Sequence, residues 1–360
     1  YYIKGPNLRH FEESFRDYVG SKYALGLGNA THGLHLSLAA LNVGINDEII
    51  VSPYTWISSA SCALMQNAVP IFADIDPETL ALSADSIRGA ITKRTKAVIL
   101  VHMNGYPAKM DEILDVVKEH ELALIEDASH THGAKYKGRM VGTFGDIGVF
   151  SLHQRKTLSV GDGGIIITDD GEIAEIIYKM RSFGHEELSY NYRMTEFAAA
   201  LGSSRLQNVD KENFIRRENV EYLHGLINHI AGVKVRRAIP ESEGVYYMLL
   251  IEIEPEAINV TLESFIQKMN TEGIPVKNTM QLLHKHPHFN PTRTPARGIP
   301  WKWPLYQSDQ FQGKMYKDLS FPIAEEYCEQ KLVELTVHPP VGKIEMEDAA
   351  KAIEKIIENS

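Results

Sequence analysis

Through the first three-quarters of the chain the hydrophobic positions switch repeatedly between two spacings. FEESFRDYVG (11–20), THGLHLSLAALNVG (31–44), ISSASCALMQNA (57–68), ADSIRGAI (84–91) and MDEILDVVKEH (110–120) place apolar residues at helical intervals. Between them lie short runs rich in β-branched residues: EIIVSPY (48–54), VPIFADID (69–76), KAVILVHM (96–103), LALIEDAS (122–129), IGVFSLH (147–153) and GGIIITDD (163–170). These runs are apolar at consecutive positions, so both faces of each strand are covered. Helices alternating with such strands predict an α/β fold, a mostly parallel sheet covered by helices.

Past a helical stretch at 210–230 the rhythm changes. VYYMLLIEIE (245–254) reads as a strand, TLESFIQKMNTEG (261–273) as a helix and AKAIEKIIENS (350–360) as a closing helix. This predicts a large domain over 1–232 and a smaller C-terminal α+β domain over 233–360. Residues 284–316, rich in Pro, His, Trp and Tyr, are too long for an ordinary connection and suggest a functional lid or a poorly ordered segment. No internal repeat or low-complexity tract is visible.

Composition narrows the class. At 360 residues, 44% hydrophobic and 23% charged, the chain has the balance of a globular protein. Its 37 basic and 47 acidic side chains give a net charge of −10, which argues against a nucleic-acid partner. No apolar run approaches the roughly 20 residues that span a bilayer, so no membrane partner is expected. Two cysteines, Cys62 and Cys328, make no disulfide framework and fit a reducing cytoplasm. No signal peptide is visible, although the chain begins at Tyr1 and leaves open what precedes it.

In an open α/β sheet, ligands bind beyond the carboxyl ends of the strands. Thr55 and Trp56, Asp127 and His130, and Ser151 and Lys156 fall at such ends. Thr31 opens a helix after GLGNA, where free N–H groups suit a phosphate. Taken singly, each has an ordinary explanation: a solvated lysine, a helix-capping aspartate, a core tryptophan. His130, His132, His284, His286 and His288 invite a zinc site, but no cysteine or HExxH pattern accompanies them and no metal is expected. GLGNAT half-matches a dinucleotide fingerprint, with Thr31 in place of the third glycine. Together, a lysine, a strand-end aspartate, an aromatic ring and a phosphate-type turn are what pyridoxal 5'-phosphate requires.

Order and spacing extend that reading. GNATHGLHLSLAAL, VSPYTWISSA, VPIFADIDPETL, ITKRTKAVILVHMNGYPAKMDEI, IEDASHTHGAKYKGRMVGTFGD, FSLHQRKTLSVGDGGIIITDD and YNYRMTEFAAA follow one another in a series. That series resembles the DegT/DnrJ/EryC1/StrS family of pyridoxal-phosphate-dependent sugar aminotransferases, of fold type I, over nearly the whole chain. The resemblance implies that Lys156 forms the imine with the cofactor, that Asp127 pairs with its ring nitrogen, and that His130 contacts its phenolic oxygen. It implies that Trp56 stacks on the ring and that Ala30, Thr31 and Ser151 hold the phosphate. Asn191 would reach the phosphate from the neighbouring subunit, so that a homodimer shares each active site. A buried aspartate in such a pair is expected to stay ionised.

The implied reaction moves an amino group from glutamate or glutamine to a keto-sugar, free or nucleotide-linked, or to a keto-cyclitol. GIPWKWPLY and SFPIAEEYCEQKLVELTVHPP look closer to the branch acting on cyclitols and free keto-sugars. Arg155 stands beside the lysine where relatives more often carry small or polar residues. Alternatives are a sugar dehydratase, for which a minority branch carries histidine in place of the lysine, a non-catalytic regulatory protein that binds the same cofactor, and a nucleotide-dependent dehydrogenase built on GLGNAT.

Overall fold

The computed structural model describes residues 5–183, 188–290 and 315–360. The nine N-terminal strands are β1 (Tyr23–Leu27), β2 (Glu48–Val51), β3 (Val69–Phe72), β4 (Thr95–Val101), β5 (Ala123–Asp127), β6 (Lys135–Tyr136), β7 (Arg139–Met140), β8 (Ile147–Ser151) and β9 (Gly164–Thr168). The helices among and after them are α1 (Pro6–Val19), α2 (Ala30–Ala40), α3 (Ser58–Met65), α4 (Ala84–Ala90), α5 (Met110–Glu119), α6 (Gly171–Met180), α7 (Glu196–Leu206) and α8 (Val209–Ile227).

Seven of these strands form the main sheet, in the order β1-β9-β8-β5-β4-β2-β3. The pairs β2–β3, β2–β4, β4–β5 and β5–β8 are parallel, whereas β9 runs antiparallel to both neighbours. The expected mostly parallel sheet is therefore present, with one reversed strand. Residues of β2, β3, β5, β8 and β9 are almost all buried, which is why these runs lack polar alternation. α2 packs on β8, β9 and α3, and α1 packs against α7.

This topology gathers particular residues at one edge. β4, β5 and β8 end there at Val101, Asp127 and Ser151, and the reversed β9 begins there at Gly164, opposite both Ser151 and Leu27. The chain leaves β1 at that same edge and enters α2 at Ala30.

The C-terminal part builds a second sheet from β10 (Val233–Val235), β12 (Leu249–Ile253), β13 (Val276–Asn278) and β14 (Leu332–Leu335), all antiparallel in the order β10-β12-β14-β13. β11 (Ser242–Glu243) instead pairs with β6, which pairs with β7, so a small ribbon stitches the two parts together. The remaining helices are α9 (Pro255–Ile258), α10 (Leu262–Thr271), α11 (Pro322–Glu326) and α12 (Lys343–Glu358), and α12 packs on α8.

VYYMLLIEIE differs from its expected form. Only Leu249–Ile253 is strand; residues 245–248 run against the loop after β4, where Val245 N donates to Gly105 O (3.0 Å) and Met248 N to Asn104 O (3.2 Å). Gly105 has φ +92°, and a Cβ there would lie 2.6 Å from the Tyr247 nitrogen, so a side chain would push this segment away. Most of the expected 284–316 loop lies outside the described residues. Its described ends form short 3-10 turns at Leu283–Lys285 and Tyr316–Asp318.

Candidate active site

The phosphate-type turn comes from two distant segments that meet. Asn29 caps α2, its side-chain oxygen accepting from His32 N (2.9 Å), and leaves Ala30 and Thr31 on the first turn. Gly164 sits against that turn: a Cβ on it would fall 2.4 Å from the Asn29 carbonyl carbon and 2.6 Å from Ala30 N. The GDGG cluster thus exists for close approach, which brings Ser151, the strand partner of Gly164, beside the helix start. Thr31 Oγ1 shares a hydrogen bond with Ser58 Oγ (2.7 Å) and so ties α2 to α3. Ala30, Thr31 and Ser151 are brought together at this edge.

Asp127 closes β5 and is 4% exposed. Its Oδ2 accepts from Ser59 Oγ (2.8 Å) and its Oδ1 from Ser129 N (3.2 Å), while Ser59 shares a second bond with Thr55 Oγ1 (3.0 Å). The carboxylate is held in place by α3 and its own loop. One residue earlier, Glu126 points the opposite way and accepts from the backbone of Gly142, Phe144 and Gly145 and from His102. That clamp fixes the strand end from behind.

His130 Nδ1 accepts from Asn104 N (3.2 Å), which puts the ring proton on Nε2. Burial above all, then Lys156 and His132, hold its pKa well below the ordinary histidine value, so the ring is a neutral N–H donor. It stacks on Tyr247, with centroids 4.2 Å apart and planes 17° from parallel. Lys156 is reached by a tight turn, its N donating to His153 O (2.8 Å), and its Nζ lies over the same Tyr247 ring, 4.7 Å from the centroid. No described residue accepts a hydrogen bond from that Nζ. Burial lowers the Lys156 pKa to about 8, with Arg155 adding in the same direction and Asp127 opposing.

Trp56 stands 61% exposed on the loop between β2 and α3, so it is not the core residue that an ordinary reading would make it. The segment that carries Asn191 runs beside the turn before α2, where Gly28 N donates to Tyr192 O (2.9 Å). Asn191 is exposed, and its Oδ1 accepts from Arg193 Nε (3.0 Å).

Arg216, His338 and Tyr247 escaped the sequence reading. Beside Lys156 opens a cavity of about 530 Å³ lined in part by Arg155, Arg205, Glu212, Arg216, Lys277 and His338. Arg216 is buried and donates to His338 Nδ1 (2.9 Å), Asn213 Oδ1 (2.7 Å) and Glu212 Oε2 (3.2 Å). Asn213 in turn donates to His132 O, and His132 Nδ1 bonds Thr157 Oγ1 (3.0 Å), next to Lys156. Burial and Arg216 push the His338 pKa down to about 4 and keep it neutral. Tyr247 looked like strand filler, and Arg216 and His338 lie 60 or more positions from Lys156 in sequence. The one signal that could have marked His338 is HPP at 338–340, a polar break after an apolar strand.

A profile of the DegT/DnrJ/EryC1/StrS aminotransferase family matches residues 1–300. The chain belongs to this family. The aminotransferase is 34% identical to the L-glutamine:2-deoxy-scyllo-inosose aminotransferase of Streptomyces kanamyceticus, over 79% of this chain and 71% of that one. It is also 34% identical to the GDP-perosamine synthase of Caulobacter vibrioides, over 79% of this chain and 80% of that one. Its fold matches the crystal structure of an aminotransferase from Psychrobacter cryohalolentis with a TM-score of 0.88 at 28% identity, covering 99% of this chain and 92% of that one. The large, mostly parallel sheet of this aminotransferase is that of fold type I.

Proposed function

We propose that this aminotransferase binds pyridoxal phosphate at the Lys156–Asp127 edge and works as a homodimer. It would move an amino group from glutamate or glutamine to a keto-sugar or keto-cyclitol. The carrying observation is a half-buried amine without a hydrogen-bond acceptor among the described residues, set among a fixed carboxylate, a neutral imidazole donor and a helix start opened by glycine. These groups fit the cofactor's chemistry.

When bound, pyridoxal phosphate supplies an aldehyde for a primary amine and a ring that takes up negative charge. Lys156 is that amine. Its lowered pKa leaves a usable neutral fraction near neutral pH, and once displaced its Nζ can take and return the substrate's Cα proton. Asp127, oriented by Ser59 and Ser129, holds positive charge at the ring nitrogen. His130, with its proton on Nε2, would donate to the ring's phenolic oxygen. Ala30, Thr31 and Ser151 take the phosphate, binding away from the reacting atoms. Trp56, exposed on the loop between β2 and α3, would stack on the ring.

Several apolar side chains support the dimer. Phe197 and Leu201, one turn apart on α7, and Phe214 on α8 are exposed. Asn191 is exposed as well and would reach a second copy's site on giving up its bond with Arg193. A division into domains at 232/233 follows the start of β10, and the two unpaired, buried cysteines suit a cytoplasmic location. No helix among the described residues is long and apolar enough to cross a membrane. A dehydratase reading is disfavoured by lysine at 156.

The test is the visible spectrum with pyridoxal phosphate, before and after glutamate or glutamine. A band that forms, is lost with one donor, and returns with a keto-cyclitol or nucleotide-linked keto-sugar supports the reading and identifies the substrates. No band at all sinks it.

A further inference from the structure

The cavity beside Lys156 is unevenly charged. Among its lining residues Arg155, Lys156, Arg205, Arg216 and Lys277 are cationic, and Glu212 is the carboxylate. Glu212 is already shared between Arg205 and Arg216, and Lys277 is paired with Glu334 (2.9 Å). Arg155 is different. It is exposed at the mouth of the turn that carries Lys156, and no described carboxylate pairs with its guanidinium. It is near enough to both Lys156 and Tyr247 to influence their protonation.

A guanidinium left unpaired next to a second cation repels it, and the repulsion is relieved when an anion enters. Arg also presents a planar fork that takes carboxylate or phosphate oxygens two at a time. We propose that Arg155 is a specificity-determining residue, binding an anionic group of an incoming substrate at the mouth of the Lys156 cavity. Two sources carry that chemistry: a carboxylate of the amino donor, or a phosphate of a nucleotide-linked acceptor. The proposal rests on the aminotransferase reading above.

The test uses the holoenzyme of the wild type, Arg155→Gln and Arg155→Lys. KM and kcat are measured for donor and acceptor separately, and succinate and inorganic pyrophosphate are titrated by calorimetry as unreactive anions. Arg155→Gln should raise KM for one substrate about tenfold or more, the scale of a lost charged hydrogen bond, with kcat changed less than about twofold. Arg155→Lys should recover part of the loss. A matching loss of succinate binding assigns the donor carboxylate; a matching loss of pyrophosphate binding assigns the acceptor phosphate. KM values and both anion affinities within about twofold of wild type, or a fall confined to kcat, overturn the proposal. If the wild type transfers no amino group, the aminotransferase reading fails, and the calorimetric titrations still decide the role of Arg155.

Discussion

The two sides of the Lys156 site are built to different degrees. On the sheet side three polar groups have fixed places: Asp127 is held by Ser59 and Ser129, His130 by Asn104, and Ser151 by its strand pairing with Gly164. On the outer side Trp56 stands in solvent, Asn191 bonds only a surface arginine among the described residues, and Phe197 is 72% exposed. The contrast teaches that one chain by itself sets the chemistry, and it fits the proposed dimer, in which a second copy would supply the enclosure. Chemistry demands sub-ångström placement, which packing inside one core provides. Enclosure demands apolar area, which a surface can lend.

Breaking the finished side should cost most. Lys156→Ala should abolish transfer and the visible band while circular dichroism stays native; full transamination by this variant would end the assignment. Asp127→Asn should reduce the rate by about a hundredfold or more, since it removes a charge aimed at the reacting centre. Single-turnover kinetics check it, and an unchanged rate refutes the role given to Asp127. Gly164→Ala should weaken cofactor binding roughly tenfold, because its methyl group would collide with the backbone of Asn29 and Ala30. A titration at fixed protein concentration reads that loss.

The open side is sharpened by Phe197→Asp with Leu201→Asp. Sedimentation should show the wild type as the proposed dimer and the variant as monomer, with activity falling alongside; a monomeric wild type refutes the dimer, and an unchanged coefficient of a dimeric one places the interface elsewhere.

The smallest effect concerns pH. Capture of pyridoxal phosphate needs a neutral amine, so the rate of band formation should rise through about pH 8 rather than 10.5. Arg155→Gln removes one of the lowering influences and should move that midpoint upward. By linkage, the unfolded chain holds the Lys156 proton between these values and the folded chain does not, so cofactor-free protein should gain stability as pH rises from about 8 to 10.5.

What the sequence made legible follows from this contrast. Strands buried on both faces announce themselves as unbroken apolar runs, so β2 to β5, β8 and β9 could be read directly. Residues at their ends were readable as a set because the sheet places those ends together. Weaker signals were lost. β1, YALGL, is split by a glycine, and α6 and α7 passed unread, α7 with apolar residues on its outer face. β10 and β13 have three residues each, too few to show a period. Tyr247, Arg216 and His338 enter the site through folding of the C-terminal part onto the rest, and spacing along the chain carries no trace of such a meeting.

The seam at Asn104 and Gly105 has a consequence for biosynthesis. Their carbonyls take their partners from Val245 and Met248, more than a hundred residues downstream, and Tyr247, which faces Lys156, arrives in the same segment. On a ribosome that emits the N-terminus first, the main sheet can close while this seam is still waiting for its mate. The Lys156 pocket is then completed only after the main sheet, and a nascent chain stalled before residue 245 would hold the strands of that sheet with Lys156 uncovered by Tyr247.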